Sequence, residues 1–432
     1  MASTRKHIII AGAGLGGLAA AYRLAKDGHI VQLFERTKSL SIAQGAIFIQ
    51  PNASRCFLRW GLQDAMEKVT AVIEHNQTRS GVDNALLNRD TATEYSTWPL
   101  WTTTREAIQE VLHKEALEAG AEIHFDAEIT NVVEDENCVS VIMKDGTERK
   151  ADMLLAADGI ASRLRAKILP DSDVAPIPAP STHYPTEITK SSLLSHELTK
   201  FITEEPDASD ALMWAGNRGY AIGKYNPQKE IFSLMYSIPL DQDAANESPR
   251  LFDSVGDPKV VQDFFQDYCP TLRALTQLTH SVSRWRLARL NKLERWSSEG
   301  RRMVLLGDSA HAMMPNLAQG FSTITEDVDA LSLFLQHGHE EPVSTLVALW
   351  EEFRRPRVSR IQMGSLWNYN LYTSGKAPGS ELSDEDRMRS MDRGDATAPF
   401  NSKPFNKWVI DYDCATEVNT HRRSKLRSVI IA

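Results

Sequence analysis

The residues that could do chemistry fall into separate clusters. Gly12-Ala13-Gly14-Leu15-Gly16-Gly17 follows an apolar run and opens an Ala-rich segment, with Glu35 standing 18 residues beyond Gly17. In such a turn Gly12 permits the sharp bend, Gly14 lets the backbone approach a pyrophosphate, and Gly17 allows close packing of helix on strand. The phosphates then meet free N–H groups at a helix N-terminus. Glu35 would accept hydrogen bonds from ribose hydroxyls and repel a 2′-phosphate, which points to FAD or NAD rather than NADP. Arg36 either stacks on the adenine or faces solvent. A second cluster, Asp158-Gly159-Ile160-Ala161-Ser162-Arg163-Leu164-Arg165, sets a turn, a capping serine and two arginines together. A third, Gly307-Asp308-Ser309-Ala310-His311, follows a buried run and leads to Pro315 and Ala318-Gln319-Gly320-Phe321. Asp308 at a strand end could hold a chain of hydroxyls or simply cap a helix. His311 is expected to be structural.

The elements that must position these residues are legible in the periodicity. His7–Ala11 reads as a buried strand, LAAAYRLAKDG as an amphipathic helix stopped by Gly28, and His29–Glu35 as a second buried strand. This is a nucleotide-binding β-α-β unit. Residues 103–119 predict a helix, 121–154 several short strands with a turn at Asp145-Gly146, and 153–159 another buried strand. The proline-rich stretch PDSDVAPIPAPSTHYP marks a crossing between domains. Strand-like runs such as YAIGKY and IFSLMYSIPL follow it, and Ile324–His337 reads as a helix. The polar last 50 residues are expected to wrap the surface, with the tail after about 375 packing on the outside or in a dimer contact.

Composition narrows the classes. The 432 residues carry 48 Lys+Arg against 57 Asp+Glu, a formal net charge of −9, which excludes nucleic acid as the main partner. No stretch approaches the ~20 apolar residues of a membrane span. Cys56, Cys138, Cys269 and Cys414 are scattered without a CxxC pair, so no metal site or redox dithiol is indicated. The expected location is cytoplasmic, as a monomer or homodimer.

Taken together, GxGxxG at Gly12–Gly17, DGxxSxxR at Asp158–Arg165 and a GDAAHxxxPxxGQG-like run at Gly307–Gly320 resemble the single-component FAD-dependent aromatic monooxygenases, salicylate hydroxylase and para-hydroxybenzoate hydroxylase among them. GAIFIQPNASRCFLRWGL (45–62) and Thr103-Thr104-Arg105-Glu106 extend the likeness, which has the character of the fungal secondary-metabolism members. The resemblance implies an α/β fold: a discontinuous Rossmann-like FAD-binding domain (1–75, 101–174, 291–375), a second, mainly antiparallel β-sheet substrate domain (76–100, 175–290) and a C-terminal extension (376–432). It implies FAD on Gly12, Gly14, Leu15, Gly17 and Glu35, with Gly45 or Ala46 lining it, Arg105 along the ribityl and pyrophosphate chain, and Asp158 in the motif linked with FAD and NAD(P)H. Asp308 would bind the ribityl hydroxyls, while Pro315, Gly320 and Phe321 would sit near the isoalloxazine ring.

The implied reaction uses NADPH or NADH and dioxygen to hydroxylate or epoxidise an electron-rich aromatic, polyketide or indole-type molecule through a flavin 4a-hydroperoxide. The alternatives are an FAD oxidase or dehydrogenase without oxygen insertion, and a non-enzymatic FAD-binding protein. The sequence reads Ala-Gln-Gly where the family has Gly-Gln-Gly, a mild change. Aligning Pro185–Lys190 with the family's arginine stretch puts Lys190 at the arginine and Tyr220 at its tyrosine partner, which makes them the catalytic candidates. Trp98, Trp101 and Trp214 are candidates for lining an aromatic pocket.

Overall fold

Ile8, Ile9 and Ile10 are wholly buried. In a strand, three successive apolar residues can all be buried only where both faces of the sheet are covered. The computed structural model, which describes residues 5–40, 45–92, 94–172, 174–216, 218–239, 251–337, 341–374, 398–400 and 402–431, places His7–Ala11 at the centre of a parallel five-stranded sheet. The order is Met303–Leu305, Met153–Ala156, His7–Ala11, Ile30–Phe34, Glu122–His124. The first helix, Leu15–Lys26, buries Leu18, Ala19, Ala20, Ala21 and Leu24, and ends before Gly28. The helix Arg105–Glu118 packs against it, its first turn capped by the Thr104 hydroxyl, which accepts from the Ala107 N–H. The turn at Asp145-Gly146 joins two strands of a small antiparallel sheet, Ile129–Glu134, Val139–Met143 and Glu148–Ala151.

The second layer is an eight-stranded sheet. Its order is Phe252–Gly256, Val282–Arg289, Ile177–Thr189, Ile231–Pro239, Tyr220–Asn226, Ala211–Ala215, His75–Ser80, Leu86–Thr91. All neighbours are antiparallel except Ala211–Ala215 with His75–Ser80. One face buries Trp214, Phe232, Leu234, Tyr236 and Ile238 against Val261, Phe265, Leu272 and Leu275 of two helices, Pro258–Phe264 and Pro270–Gln277. The register sets the other face toward the parallel-sheet unit, where Leu287 and Ala179 meet Met314 and Tyr369.

The chain end departs from the expectation of a polar surface wrap. Of the expected extension, 376–397, 401 and 432 lie outside the described residues. The helix Lys403–Ile410 buries Phe405 and Val409, and the helix Cys414–Ile431 that follows it buries Cys414 and Val418. The attachment is electrostatic as well as apolar. Arg357, in the long helix Val343–Ser374, donates to the carbonyls of Trp408 (3.0 Å) and Val409 (2.8 Å), and its guanidinium lies 3.6 Å from the Tyr412 ring centre. It also pairs with buried Glu326 at 2.7 Å, as does Arg354. Burial alone would push the Glu326 carboxyl up, but Arg357 and Arg354 outweigh it and hold it at about 2. Among the described residues no helix is long and apolar enough to cross a membrane.

Removing one partner of a buried ion pair strands the other. Arg357→Ala should therefore lower the unfolding free energy by about 3–5 kcal/mol, read from the urea midpoint. A loss below about 1 kcal/mol would contradict the clamp.

Candidate functional site

The glycine turn is set by close backbone approach. A Cβ on Gly17 would lie 1.9 Å from the Gly12 carbonyl oxygen, and one on Gly12, whose φ is +104°, would lie 2.7 Å from the Ala157 oxygen. Gly14 differs, since a Cβ there meets no protein atom within 4 Å and would project into open space. That space is a cleft of about 320 Å³ lined by Gly12, Gly14, Glu35, Arg36, Asp158 and Arg163, among others. Glu35 accepts from the Ala13 N–H (2.8 Å) with one oxygen and from the Thr37 N–H and hydroxyl (both 2.9 Å) with the other. Asp158 accepts from the N–H groups of Arg163 (2.9 Å) and Leu164 (3.3 Å) through Oδ2, while buried Oδ1 has no partner among the described residues. An orphaned buried carboxylate oxygen needs a donor. Arg165 is not a ligand-facing cation: it donates to the carbonyls of Val174 (2.9 Å), Ser309 (3.1 Å) and Ile160 (2.7 Å), tying the Asp158 turn to the Gly307–Asp308 turn.

The remaining residues continue the line toward the second sheet. The Arg105 N–H reaches the Gly45 carbonyl (3.3 Å), and strand Ala46–Ile49 pairs with Trp101–Thr104. The Arg105 guanidinium lies 4.4 Å from the ring centre of Trp285. Burial pulls its pKa down and Asp308 opposes that, so the two charges share one neighbourhood. Asp308 is exposed at the start of the short helix Asp308–His311. Leu15 opens the first helix and packs on the core. Arg36 is exposed at the cleft rim. Phe321 is buried 5.7 Å from the ring of Phe57, so it supports the loop from beneath.

The loop from Pro315 to Gln319 is held from several sides. Asn52 Nδ2 donates to Gln319 Oε1 (3.0 Å) and to Glu326 Oε1 (2.6 Å). Asn368 Nδ2 donates to the Asn316 carbonyl at 3.1 Å. Leu317 packs with Phe400 and Phe405 of the chain end. Ala318 takes a φ of +50°, the left-handed conformation that glycine adopts freely. Gly320, at the loop's end, meets no atom within 4 Å of its would-be Cβ. His311 keeps to its structural role, 2.6 Å from buried Asp327, which also accepts from Arg354.

Lys190 and Tyr220 are not brought together. Tyr220 lies level with His183 across the sheet, and Lys190 is seven residues farther along, about 23 Å at the rise of a strand. Lys190 instead pairs with Glu230 (2.8 Å) with its side chain 41% exposed, because it begins a surface helix capped by Thr189. Tyr220 is buried, its hydroxyl 3.3 Å from His183 Nε2 and 3.3 Å from the donating Asn316 Nδ2. The tryptophans do not form a pocket together. Trp214 fills the core on the helix-covered face, Trp101 sits in the parallel-sheet core, and Trp98 stacks 5.2 Å from Arg55.

Sequence reasoning missed His183, Asn316, Asn52 and Trp285. Asn316 directly follows Pro315 and could have been read from the motif. His183 could not, because its partner lies 37 residues away in the chain.

Burial pulls His183 down from 6.5 to about 3. The folded protein refuses a proton that the unfolded chain accepts below about pH 6.5. Stability is therefore unaffected above that pH and falls as the pH drops toward 3. Wild type should lose about 1.4 kcal/mol more per pH unit than His183→Gln between about pH 6 and 4, measured by urea unfolding. Parallel profiles would contradict the neutral buried imidazole.

Comparison with known proteins shows the family and the cofactor class. A family model for an FAD binding domain matches residues 5–365. The FAD-dependent monooxygenase OpS4 of Beauveria bassiana is 27% identical over 94% of this chain and 95% of that protein. The 6-hydroxynicotinate 3-monooxygenase of Bordetella bronchiseptica is 28% identical over 86% of this chain and 93% of that protein. Among solved structures, CtdE with FAD and a substrate aligns with a TM-score of 0.84 at 21% identity, covering 98% of this chain and all of that one (100%). A salicylate hydroxylase substrate complex aligns at 0.77 and 19%, covering 97% and 98%. The open cradle at Gly14, the orphaned Asp158 oxygen and the Glu35 carboxylate fit the cofactor these likenesses imply, and the chain belongs to the FAD-binding-domain family, with FAD as its cofactor.

Proposed function

We propose that this chain is an FAD- and NAD(P)H-dependent monooxygenase that inserts one oxygen atom of dioxygen into an electron-rich aromatic, polyketide or indole-type ring. The observation that carries the reading is the hydrogen bond from Asn316 Nδ2 to Tyr220 Oη (3.3 Å). It joins the loop of the FAD-binding unit to a buried phenol on the second sheet, where a ring would lie between cofactor and sheet. Names of relatives support the class, among them an FAD-dependent monooxygenase and a hispidin-3-hydroxylase.

When bound, FAD supplies the redox chemistry, taking hydride from the nicotinamide and passing electrons to dioxygen. The chain supplies placement. Glu35 accepts from the ribose, the glycine turn admits the pyrophosphate, Asp158 Oδ1 receives a donor, and Asp308 holds the ribityl hydroxyls beside Arg105. The aliphatic and aromatic face around Pro185, Ile222, Met235 and Trp285 excludes water from the ring. Tyr220 Oη is the group placed to hold a substrate oxygen and to move its proton. Lys190 has no part in this, being about 23 Å along the strand from Tyr220's row.

FAD-loaded protein should oxidise NADH or NADPH faster when offered the right member of a panel of phenols, salicylates and indoles, with peroxide well below the nicotinamide consumed. Tyr220→Phe should slow product formation by about 100-fold and raise peroxide per nicotinamide, while Lys190→Ala leaves coupling unchanged. Asp308→Ala should weaken FAD by about 10- to 100-fold, the effect of losing a charged hydrogen bond. Oxygen uptake without nicotinamide, or no oxidation of either nicotinamide with any compound, would contradict the reading.

A further inference from the structure

The register of the large sheet places Phe252, Trp285, His183, Ser237 and Tyr220 in one line across five strands. Directly paired residues of an antiparallel sheet share a face. This face looks at the cofactor unit: Arg105 lies over Trp285, Asn316 reaches Tyr220, and a Cβ on Gly45 would lie 3.0 Å from Pro185, two residues beyond His183. The line and the neighbouring row Pro185, Met235 and Ile222, with Ser181 and Leu287, carry no group charged at neutral pH, and the next row on the same face, Glu187, Ser233 and Lys224, carries one group of each sign.

The charged groups nearby are engaged elsewhere. Arg284 and Arg286 flank Trp285 and so point to the opposite face, and Arg284 pairs with Asp253. Lys224, four residues beyond Tyr220, is buried with its amine on the Ala208 carbonyl. Arg218 is exposed, its charge felt by Tyr268. Glu187, past Pro185, has Lys229 in its field, and Lys229 reaches the Thr104 hydroxyl at 3.3 Å. Arg105 shares its neighbourhood with Asp308.

We propose that His183 and Asn316 position Tyr220 Oη against the oxygen or nitrogen of an uncharged hydroxyaromatic or indole-type ring, and that the site selects against rings bearing a carboxylate. The inference rests on the placement of the substrate ring at Tyr220 given above. The Tyr220 oxygen is held between two nitrogens, each 3.3 Å away, one from each unit of the protein. His183 is 2% exposed, with its ring edge-on to that of Tyr220 at 6.2 Å. A phenol or an indole N–H finds hydrogen-bond partners on this face. A carboxylate would lose its hydration beside Tyr220, where the cation on this face, Arg105 over Trp285, already shares its neighbourhood with Asp308, and that loss costs several kcal/mol. His183 acts through Tyr220 and is a positioning residue.

The test uses the FAD-loaded full chain and matched probes: 2-naphthol with 3-hydroxy-2-naphthoate, and indole with indole-2-carboxylate. Dissociation constants are read from flavin absorbance changes and by calorimetry, with nicotinamide oxidation followed in the same samples. The neutral member of each pair should bind about tenfold or more tightly than its acid. His183→Leu should weaken 2-naphthol by about tenfold and raise its KM more than it lowers kcat, with FAD affinity unchanged. His183→Gln, which keeps a side-chain nitrogen for the hydroxyl, should restore most of that affinity. His183→Arg should shift preference toward 3-hydroxy-2-naphthoate. Acids binding as well as their neutral partners, no binding of either neutral probe, or unchanged 2-naphthol affinity in His183→Leu would overturn the inference. Nicotinamide oxidation stimulated by the acids alone would overturn it while leaving the monooxygenase reading intact. Tight neutral binding without any nicotinamide oxidation would do the reverse.

Discussion

The ion network around Glu326 is the constraint on which the rest of the molecule depends. A carboxylate with no exposed surface must be fully paired, and Glu326 is paired by Arg354, Arg357 and Asn52 together. The partners come from two separate parts of the chain. Asn52 sits in the first turn of the helix Pro51–Arg59, the arginines sit in the long helix Val343–Ser374, and Arg357 reaches on to the chain end. Through Asn52 the network grips Gln319, and Gln319 belongs to the loop that carries Asn316. The position of the group that touches Tyr220 is thus fixed from a charge buried in the core.

This arrangement divides labour between two kinds of surface. The parallel sheet offers backbone: a glycine turn with a glutamate and an aspartate whose oxygens face a cleft. The large sheet offers side chains at fixed lateral spacing, one face closed by helices and the other turned to the cofactor. Loop Pro315–Gln319 links the two units, since Asn316 reaches Tyr220 of the large sheet while Asn52 holds Gln319. A left-handed Ala318 is tolerated there because the flanking contacts hold the loop in place.

Much of the cofactor side was legible in the sequence. Close packing demands glycine at Gly12 and Gly17, so the turn announces itself, and Glu35 follows at the end of the next strand. Likewise Asp158 and Asp308 sit in local turns whose composition marks them. The substrate side was not legible, because it depends on lateral register. His183, Ser237 and Tyr220 become neighbours only when three strands pair, whereas Lys190, the expected partner of Tyr220, begins a surface helix seven residues beyond His183. The chain end misled for a related reason: its polar average conceals Phe405, Val409 and Val418, and its docking depends on Arg357, some fifty residues earlier.

The most direct test of the account is a crystal structure of the FAD-loaded protein with its best-bound neutral aromatic. The account predicts FAD along the Gly12–Glu35 cleft, with the ring between the isoalloxazine and the sheet and its heteroatom within hydrogen-bond distance of Tyr220 Oη. An aromatic bound away from the Trp285–His183–Tyr220 face, or FAD bound outside that cleft, would contradict it.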